Sequence, residues 1–330
     1  MEPLKDEQVV NEEGVGDETI TATMRVGLGL MSSWREEVLA RSKSRPPVLF
    51  HYTGSEALTG IVSTNQLWAT NAVFMNDQSE IWHTASLLAT VLEEPINEAQ
   101  LLGADESCLK LAQESMLTVL RYLHNYVEAY AFCFCSEPDL LSQWRGYGDG
   151  SGRYSIGFRS SDLDDVGAGP TQLIQVIYDD GLQIQLMREL VKRWRLMYLE
   201  SMAEDSRTKN HVEAMLFAQM FAWLAVSFKN KGFEEEREWR IVYLRPRLPE
   251  TLPDESFEFH FRSIGGISAP YVRFERPVVD EKVGYLPIDS IHVGPHRYPE
   301  LAMSGIWHLL AKYRPTEEIA IEKSATPLRT

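Results

Sequence analysis

Apolar residues recur along this chain with two different periods, which predicts a mixture of strands and helices. Short runs with alternating or continuous apolar positions are typical of strands that are buried on one or both faces. Turn residues separate these runs from one another. The predicted strands cover 48–53, 66–71, 130–136, 153–159, 171–179, 236–244, 256–262, 270–275, 290–293 and 318–324.

Longer segments carry apolar residues at helical spacing. In the segment after the first strand, Leu58, Ile61 and Val62 mark one helix face. Another helix begins at a capping box formed by Asp77 and Glu80. The sequence predicts helices within 32–44, 55–65, 76–94, 108–129, 181–203, 210–228 and 297–313.

The order of these elements predicts a single α+β domain over 31–330 with a helical insertion, whose helical segments lie near 76–128 and 181–228. The helix at 210–228 is apolar on nearly all sides, so we expect it to be buried. Residues 1–30 begin with an acidic stretch poor in large apolar side chains, which predicts a flexible N-terminal tail.

The composition narrows the classes of function. The formal net charge of −16 argues against strong nonspecific binding to nucleic acid or to an anionic membrane. No apolar run is long enough to span a bilayer, and the three cysteines form no disulfide framework, so we expect a cytoplasmic protein without a membrane. A phosphate-bearing ligand would need a local arginine, and the candidates are Arg145, Arg153 and Arg240.

The first predicted strand, in "LFHYTGSEALTGIVSTNQLWATN", places a histidine and a hydroxyl on one face. Side chains alternate along a strand, so His51 and Thr53 share a face while Phe50 and Tyr52 occupy the other. An imidazole and a hydroxyl side by side at the start of a fold are candidates for gripping a ligand, and we assign Tyr52 to the core.

The late strand in "FEEEREWRIVY" carries a second candidate group. Alternation predicts that Glu236, Glu238 and Arg240 share one face. One interpretation is a solvated edge strand whose charges prevent aggregation. The other is a carboxylate held near an arginine in a cleft, where it stabilises developing positive charge.

Two loops add further candidates. In "FMNDQSE", Asn76 and Asp77 either cap the following helix or line a cleft. In the glycine-rich "DLLSQWRGYGDGSGRYSIGF", Trp144 and Tyr147 either pack on the core or present a ring face to a planar ligand, with Arg145 near a phosphate. The glycine spacing is not that of a Rossmann or Walker loop.

Several of these stretches together resemble the bacterial domain-of-unknown-function family 2971, in the same order and from about residue 48 to the C-terminus. The stretches are "LFHYTGSEALTGIVSTNQLWATN", "FMNDQSE", "FCFCSEPDLLSQWRGYGDGSGRYSIGF", "FKNKGFEEEREWRIVY", "LPIDSIHVGPH" and "IEKSATPLR". This resemblance implies little about function.

The succession of H-x-T, an aromatic residue and a late E-x-E is also similar to ADP-ribosyltransferases, some of which act as DNA-modifying toxins. That resemblance implies a split, mostly antiparallel mixed β-sheet that binds NAD as a substrate. His51 would bond the ribose hydroxyls and Tyr147 would stack on the nicotinamide, with Trp144 nearby. Glu238 would stabilise the ribose as nicotinamide leaves, although the sequence does not decide between Glu236 and Glu238.

These observations support three hypotheses. The first is an NAD-dependent ADP-ribosyltransferase, as a toxin or phage-defence effector, whose acceptor the sequence does not name. The second is a noncatalytic module that senses a ligand or binds a partner, because caps and ion pairs alone explain each polar cluster. The third is a metal-dependent nuclease using Asp77, Glu236 and Glu238, which lacks the expected lysine after the carboxylates.

Overall fold

The protein is described by a computed structural model that covers residues 45–75, 79–95, 106–147, 152–167, 171–201, 207–247, 258–279 and 282–327. The strands in chain order are β1 (Val48–Thr53), β2 (Leu67–Asn71), β3 (Val127–Cys135), β4 (Tyr154–Arg159), β5 (Gln172–Gln175), β6 (Glu238–Pro246), β7 (His260–Ile264), β8 (Ile267–Phe274), β9 (Val278–Val279), β10 (Lys282–Val283), β11 (Ile288–Val293) and β12 (Ala320–Lys323).

The helices connect these strands and lie on both faces of the sheet that they form. In chain order they are α1 (Ser55–Thr64), α2 (Ser79–Glu93), α3 (Glu106–Arg121), α4 (Leu141–Gly146), α5 (Asp180–Ser201), α6 (Arg207–Ser227) and α7 (Pro299–Tyr313). Short 3₁₀ helices include Leu123–Asn125 and Lys231–Glu236.

Ten strands form one mixed sheet that divides at β3. One edge of β3 pairs with β6 along its whole length, from Val127↔Pro246 to Cys135↔Glu238. The other edge is shared, because β1 pairs only at Phe50↔Cys135 and β2 pairs at Thr70↔Ala131 and Asn71↔Tyr130. The order β12-β11-β4-β1 continues on one side of the division and β2-β8-β7 on the other. The edge of β3 between Ala131 and Cys135 therefore lies in a gap between two wings of the sheet.

Side-chain alternation along the paired strands β3 and β6 separates two hydrophobic cores. On one face, Ala131 and Val242 pack against helices α2, α3, α5 and α6. On the opposite face, Phe132 and Ile241 pack in a core that includes Ile61 of α1 and residues of α7. Helix α6 is buried on all sides in its described part, because it lies between the sheet and the other helices of the first core.

The structure confirms the predicted α+β class and the mostly antiparallel split sheet, in which β11 and β12 form a parallel pair. It also confirms the buried face of α1, where Leu58, Ile61 and Val62 are the buried residues. None of the helices in the described ranges is long and apolar enough to cross a bilayer.

Three details of the prediction are wrong. The helix expected to continue to residue 129 ends at Arg121, because Val127–Cys135 is a long strand that pairs along its full length with β6. Residues 141–146, expected in a turn, form the short helix α4. Glu236 belongs to a 3₁₀ helix and not to β6, since Arg237 turns the chain with a left-handed φ of 46°. The predicted tail at 1–30 lies outside the described residues.

Candidate functional site

A cavity of about 550 Å³ opens where the two wings of the sheet separate. Its size falls within the range of about 300–1,000 Å³ that is usual for pockets that bind small molecules and cofactors. His51 of β1, Thr70 of β2 and Cys133 of β3 contribute to one side of the lining. The remaining charged lining residues are Glu80, Lys229, Glu236, Glu238, Arg240 and Arg262. The cavity therefore combines side chains from strands that are far apart in the sequence.

His51 reaches this cavity because β1 leaves β3 after Phe50. The Nδ1 atom of His51 lies 2.9 Å from the carbonyl oxygen of Cys133, in the gap along β3. A carbonyl only accepts, so Nδ1 carries the proton and Nε2 keeps its lone pair. The ring also packs on Phe132, with 4.2 Å between the ring centroids. No described residue bonds to Nε2, which leaves this nitrogen as an acceptor for a ligand.

Burial keeps the imidazole of His51 neutral. Desolvation is the main reason that its pKa falls from 6.5 to about 4, and the charge of Arg262 adds to the effect. The bond to the Cys133 carbonyl acts in the opposite direction but is outweighed. At neutral pH His51 can accept a hydrogen bond from a ligand hydroxyl but has no charge to offer.

The two carboxylates predicted from the late strand lie on the same cavity as His51. Glu238 begins β6 and is buried, and both of its oxygens accept bonds from Arg240, at 2.8 Å from Nε and 2.9 Å from Nη2. Lys229 Nζ lies 3.0 Å from Glu238 Oε2 and 2.6 Å from Glu236 Oε2. Glu236 is more exposed, and no described residue bonds to its Oε1. Glu236 is therefore the carboxylate with an oxygen available to a ligand.

A third carboxylate, from Glu80 in α2, completes the charged cluster. Its two oxygens accept from Nη1 and Nη2 of Arg240, both at 2.8 Å, and Lys229 Nζ lies 3.3 Å from Oε1. Arg240 also donates to the backbone carbonyl of Val226 at the end of α6. We call Glu80, Lys229, Glu236, Glu238 and Arg240 the buried charge cluster. It contains three carboxylates and two cations, so its formal charge is −1.

The pKa values of the cluster follow from burial and from these pairs. Burial opposes ionisation of Glu238, but Arg240 and Lys229 outweigh it and lower the pKa to about 2. Burial raises the pKa of Glu236, because only Lys229 offsets it and the neighbouring carboxylates repel a further negative charge. The pKa of Lys229 is raised, since Glu238 and Glu80 overcome the effect of burial. Glu238 is thus ionised at neutral and mildly acidic pH, whereas Glu236 gains its proton more readily than an ordinary glutamate.

Tyr147 lines the cavity directly after the end of α4. The residue is 40% exposed. Burial of the hydroxyl and the charges of Cys133, Glu238 and Glu236 raise its pKa. The phenol is therefore neutral and lies near the buried charge cluster, with a ring that a ligand can reach.

Several predicted site residues do not reach the cavity. Trp144 is buried against Tyr52, with ring centroids 4.6 Å apart, and donates to Asp139, which is the core-packing alternative of the two that the sequence left open. Arg145 is exposed and Thr53 is buried beside β4, and neither belongs to the cavity lining. Arg240 lines the cavity but is neutralised by two carboxylates, so it does not provide the expected phosphate site. Asn76 and Asp77 lie outside the described residues.

Three residues of the site were not singled out for it from the sequence. Glu80 was assigned to a helix cap, Lys229 precedes the E-x-E stretch by seven residues, and Arg262 lies on β7. The sequence shows that all three residues are charged, but only the fold shows that they line one cavity. In the described part of the chain, no group of three His, Cys, Asp or Glu side chains is arranged to hold a metal ion.

Comparison with protein families gives one match. Residues 143–241, which run from α4 through β6, match the family described as "Protein of unknown function (DUF2971)". The match covers less than a third of the chain and lies within the stretch, from about residue 48 to the C-terminus, over which the sequence resembles that family. Neither the curated proteins nor the solved structures contain a match.

Proposed function

We propose that this protein is an NAD-dependent ADP-ribosyltransferase whose active site is the cavity at the division of the sheet. The observation that supports this function most strongly is that His51 and the two carboxylates of the E-x-E stretch line the same cavity. More than half of the chain separates His51 from these two carboxylates. The sequence order of these groups is similar to that of ADP-ribosyltransferases, and their spatial convergence is what that similarity requires.

The reaction breaks the glycosidic bond between nicotinamide and ribose, and positive charge develops on the ribose. A fixed carboxylate in a poorly solvated cavity favours this charged state over the ground state. Glu236 has the unengaged Oε1 and therefore faces the ribose in our proposal. Glu238, held by Arg240 and Lys229, positions Lys229 and through it Glu236.

The neutral groups of the cavity hold the other parts of NAD. Nε2 of His51 accepts a hydrogen bond from a ribose hydroxyl, since Nδ1 is already bonded to Cys133. Tyr147 offers its exposed ring to the nicotinamide. The transferred ADP-ribose then bonds to an acceptor nucleophile, which gives up its proton as the bond forms.

The test measures nicotinamide release and label transfer when purified protein is incubated with labelled NAD and cell extract. Glu236→Gln is expected to lower kcat about 10²–10³-fold. Glu235→Gln is the matched control, because Glu235 is the exposed neighbour in the same 3₁₀ helix. If the wild-type protein neither releases nicotinamide nor labels any acceptor, the proposal is wrong.

We also propose that such an enzyme acts as a toxin or phage-defence effector, because consuming NAD or modifying a macromolecule arrests a cell. Controlled expression in a bacterial host is expected to stop growth with the wild-type protein and not with Glu236→Gln. Equal growth of both strains, at equal protein levels, would contradict this role.

A noncatalytic ligand-binding module is the second candidate. It is favoured by the complete pairing of Glu238, whose two oxygens are already bonded to Arg240 and Lys229. This function predicts that NAD or ADP-ribose binds without release of nicotinamide, and that Glu236→Gln changes affinity alone. Calorimetric binding and nicotinamide release measured on the same samples separate the two functions.

A further inference from the structure

Arg262 is a cavity-lining arginine without a counter-ion in the described part of the chain. Its Nη2 donates to the hydroxyl of Thr70 on β2. Its Nε is buried and has no hydrogen-bond partner. No carboxylate among the described residues pairs with it, in contrast to Arg240, which contacts both Glu80 and Glu238.

This isolated charge is energetically unfavourable without a ligand. Burial removes water from the guanidinium and lowers its pKa, and only Tyr271 and Cys133 act in the opposite direction. Arginine nevertheless stays protonated in proteins. A phosphate would pair with the guanidinium and accept from its unpartnered Nε, which is the geometry that arginine uses for phosphate groups.

The cavity is also electrically polar. Strand β3 pairs on one edge with β6, which begins at Glu238, and on the other with β2, whose Thr70 accepts a hydrogen bond from Arg262. His51 bonds to the carbonyl oxygen of Cys133 on β3, so His51 and Cys133 lie between the acidic end at Glu238 and the basic end at Arg262. A ligand matches this arrangement if its anionic end lies at Arg262 and its electron-poor end lies at the carboxylates.

An aromatic surface lies beside the basic end. Trp68 of β2 lines the same cavity and stacks on Tyr271 of β8, with centroids 4.7 Å apart and an angle of 24° between the rings. Trp68 and Thr70 are two residues apart on one strand and therefore share a face. A planar base and a phosphate on the same ligand can contact Trp68 and Arg262 together.

We propose that Arg262 is the phosphate-binding residue of the cavity and that the ligand is a phosphorylated nucleotide. This proposal rests on the function proposed above for the location of the ligand site, and it names the part of NAD that Arg262 binds. It does not require that the glycosidic bond be cleaved.

The test is calorimetric titration of the full chain with NAD, ADP-ribose, ADP and nicotinamide riboside, the last of which carries no phosphate. Arg262→Gln is expected to weaken binding of the three phosphorylated compounds at least about tenfold. The affinity for nicotinamide riboside is expected to stay within about twofold of the wild-type value. Arg273→Gln, at an exposed arginine on the adjacent strand β8, is the control and leaves all four affinities unchanged.

A second variant and a second readout keep the result interpretable. Arg262→Lys retains the charge but not the planar fork, so we expect affinities between those of the wild-type protein and Arg262→Gln. Thermal unfolding of each variant establishes that it is folded. Arg262-dependent binding of ADP without nicotinamide release from NAD would support this inference and contradict the transferase. Nicotinamide release with an unchanged KM in Arg262→Gln would support the transferase and contradict the role of Arg262. If the wild-type protein binds none of the phosphorylated compounds, the inference is wrong.

Discussion

The imidazole of His51 bonds through Nδ1 to the carbonyl oxygen of Cys133 at 2.9 Å, across the gap where β1 leaves β3. His51 thus supplies a hydrogen-bond donor to the Cys133 carbonyl, at a point on this edge of β3 where no described strand pairs with it. This bond also fixes the tautomer, because the proton must lie on Nδ1. The same contact therefore stabilises the division of the sheet and leaves Nε2 as an acceptor in the cavity.

The low pKa of His51 predicts a dependence of stability on pH. The folded-state value of about 4 lies below the ordinary 6.5, so the unfolded chain binds the additional proton between these values. The free energy of unfolding should decrease as pH falls from 6.5 to 4, by up to about 3 kcal/mol from this group. The check is urea unfolding of the wild-type protein and His51→Asn, which keeps a donor toward Cys133, at several pH values in this range.

Only the difference between the two proteins reports on His51, because carboxylates also titrate toward the acidic end of this range. His308→Asn serves as the control, since His308 is exposed on α7. It should follow the wild-type curve throughout. Parallel curves for the wild-type protein and His51→Asn would show that the imidazole is already solvated.

The buried charge cluster predicts that Arg240 contributes far more to the free energy of unfolding than Arg237, which lies three residues earlier in the chain. Arg240→Met leaves Glu80 and Glu238 with only Lys229, so we expect a loss of about 3–5 kcal/mol in the free energy of unfolding. Arg237→Met removes an exposed pair with Glu137 and should change stability by less than about 1 kcal/mol. Denaturant unfolding at pH 7 measures both variants. Equal effects would mean that the cluster is open to water.

The sequence predicted the parts of the fold that depend on local pattern. The apolar pattern located ten of the twelve strands to within a few residues but not the short strands β9 and β10. The apolar face of α1 was assigned to the same three residues that are buried. It failed where a neighbouring strand decides the outcome, as at Val127, which pairs with Pro246 far along the chain. Local helical spacing carries no information about such a partner.

The candidate site shows the same limit. Glu236 and Glu238 were grouped by strand alternation, and they do line one cavity. The reason is different, because Glu236 ends a 3₁₀ helix and Arg237, with its left-handed φ, turns the chain into β6 at Glu238. Trp144 and Tyr147 are equivalent in the sequence, but helix α4 turns Trp144 toward Tyr52 and leaves Tyr147 exposed. Glu80 and Arg262 enter the site through helix packing and sheet order, which one sequence does not reveal.

The raised pKa of Glu236 predicts how the proposed activity declines at low pH. Protonated Glu236 cannot stabilise positive charge on the ribose, so kcat/KM for NAD should fall as pH decreases, with a midpoint above the ordinary value of 4.5. The measurement is nicotinamide release across about pH 4 to 8. Glu235→Gln should show the same decline, whereas Glu236→Gln should lose it together with most of the rate. A wild-type rate that is constant down to pH 4.5 would contradict the role of Glu236.

Asp139 joins the C-terminal segment to helix α4, which Tyr147 of the cavity directly follows. Its carboxylate accepts from Trp144 Nε1 at 2.6 Å, from the backbone of Ala325 at 2.7 Å, and from the hydroxyl of Thr326 at 3.0 Å. Burial opposes its ionisation, but these bonds and one from Ser324 outweigh it and lower the pKa. The lowered pKa means that Asp139 stabilises the fold above its ordinary value of 3.8, and that this contribution is lost as pH falls through the folded-state value.

Asp139→Asn should therefore lower the free energy of unfolding by about 1–3 kcal/mol at pH 7 and by less in acid, where the wild-type carboxylate is protonated. The control is Asp162→Asn, because Asp162 is exposed and pairs with Arg159 on the surface, where the expected change is below about 1 kcal/mol. Urea unfolding at pH 7 and in acid measures the pH dependence, and limited carboxypeptidase digestion reports release of the C-terminal segment. A destabilisation by Asp139→Asn that is the same at both pH values would show that Asp139 acts by packing and that its charge contributes nothing.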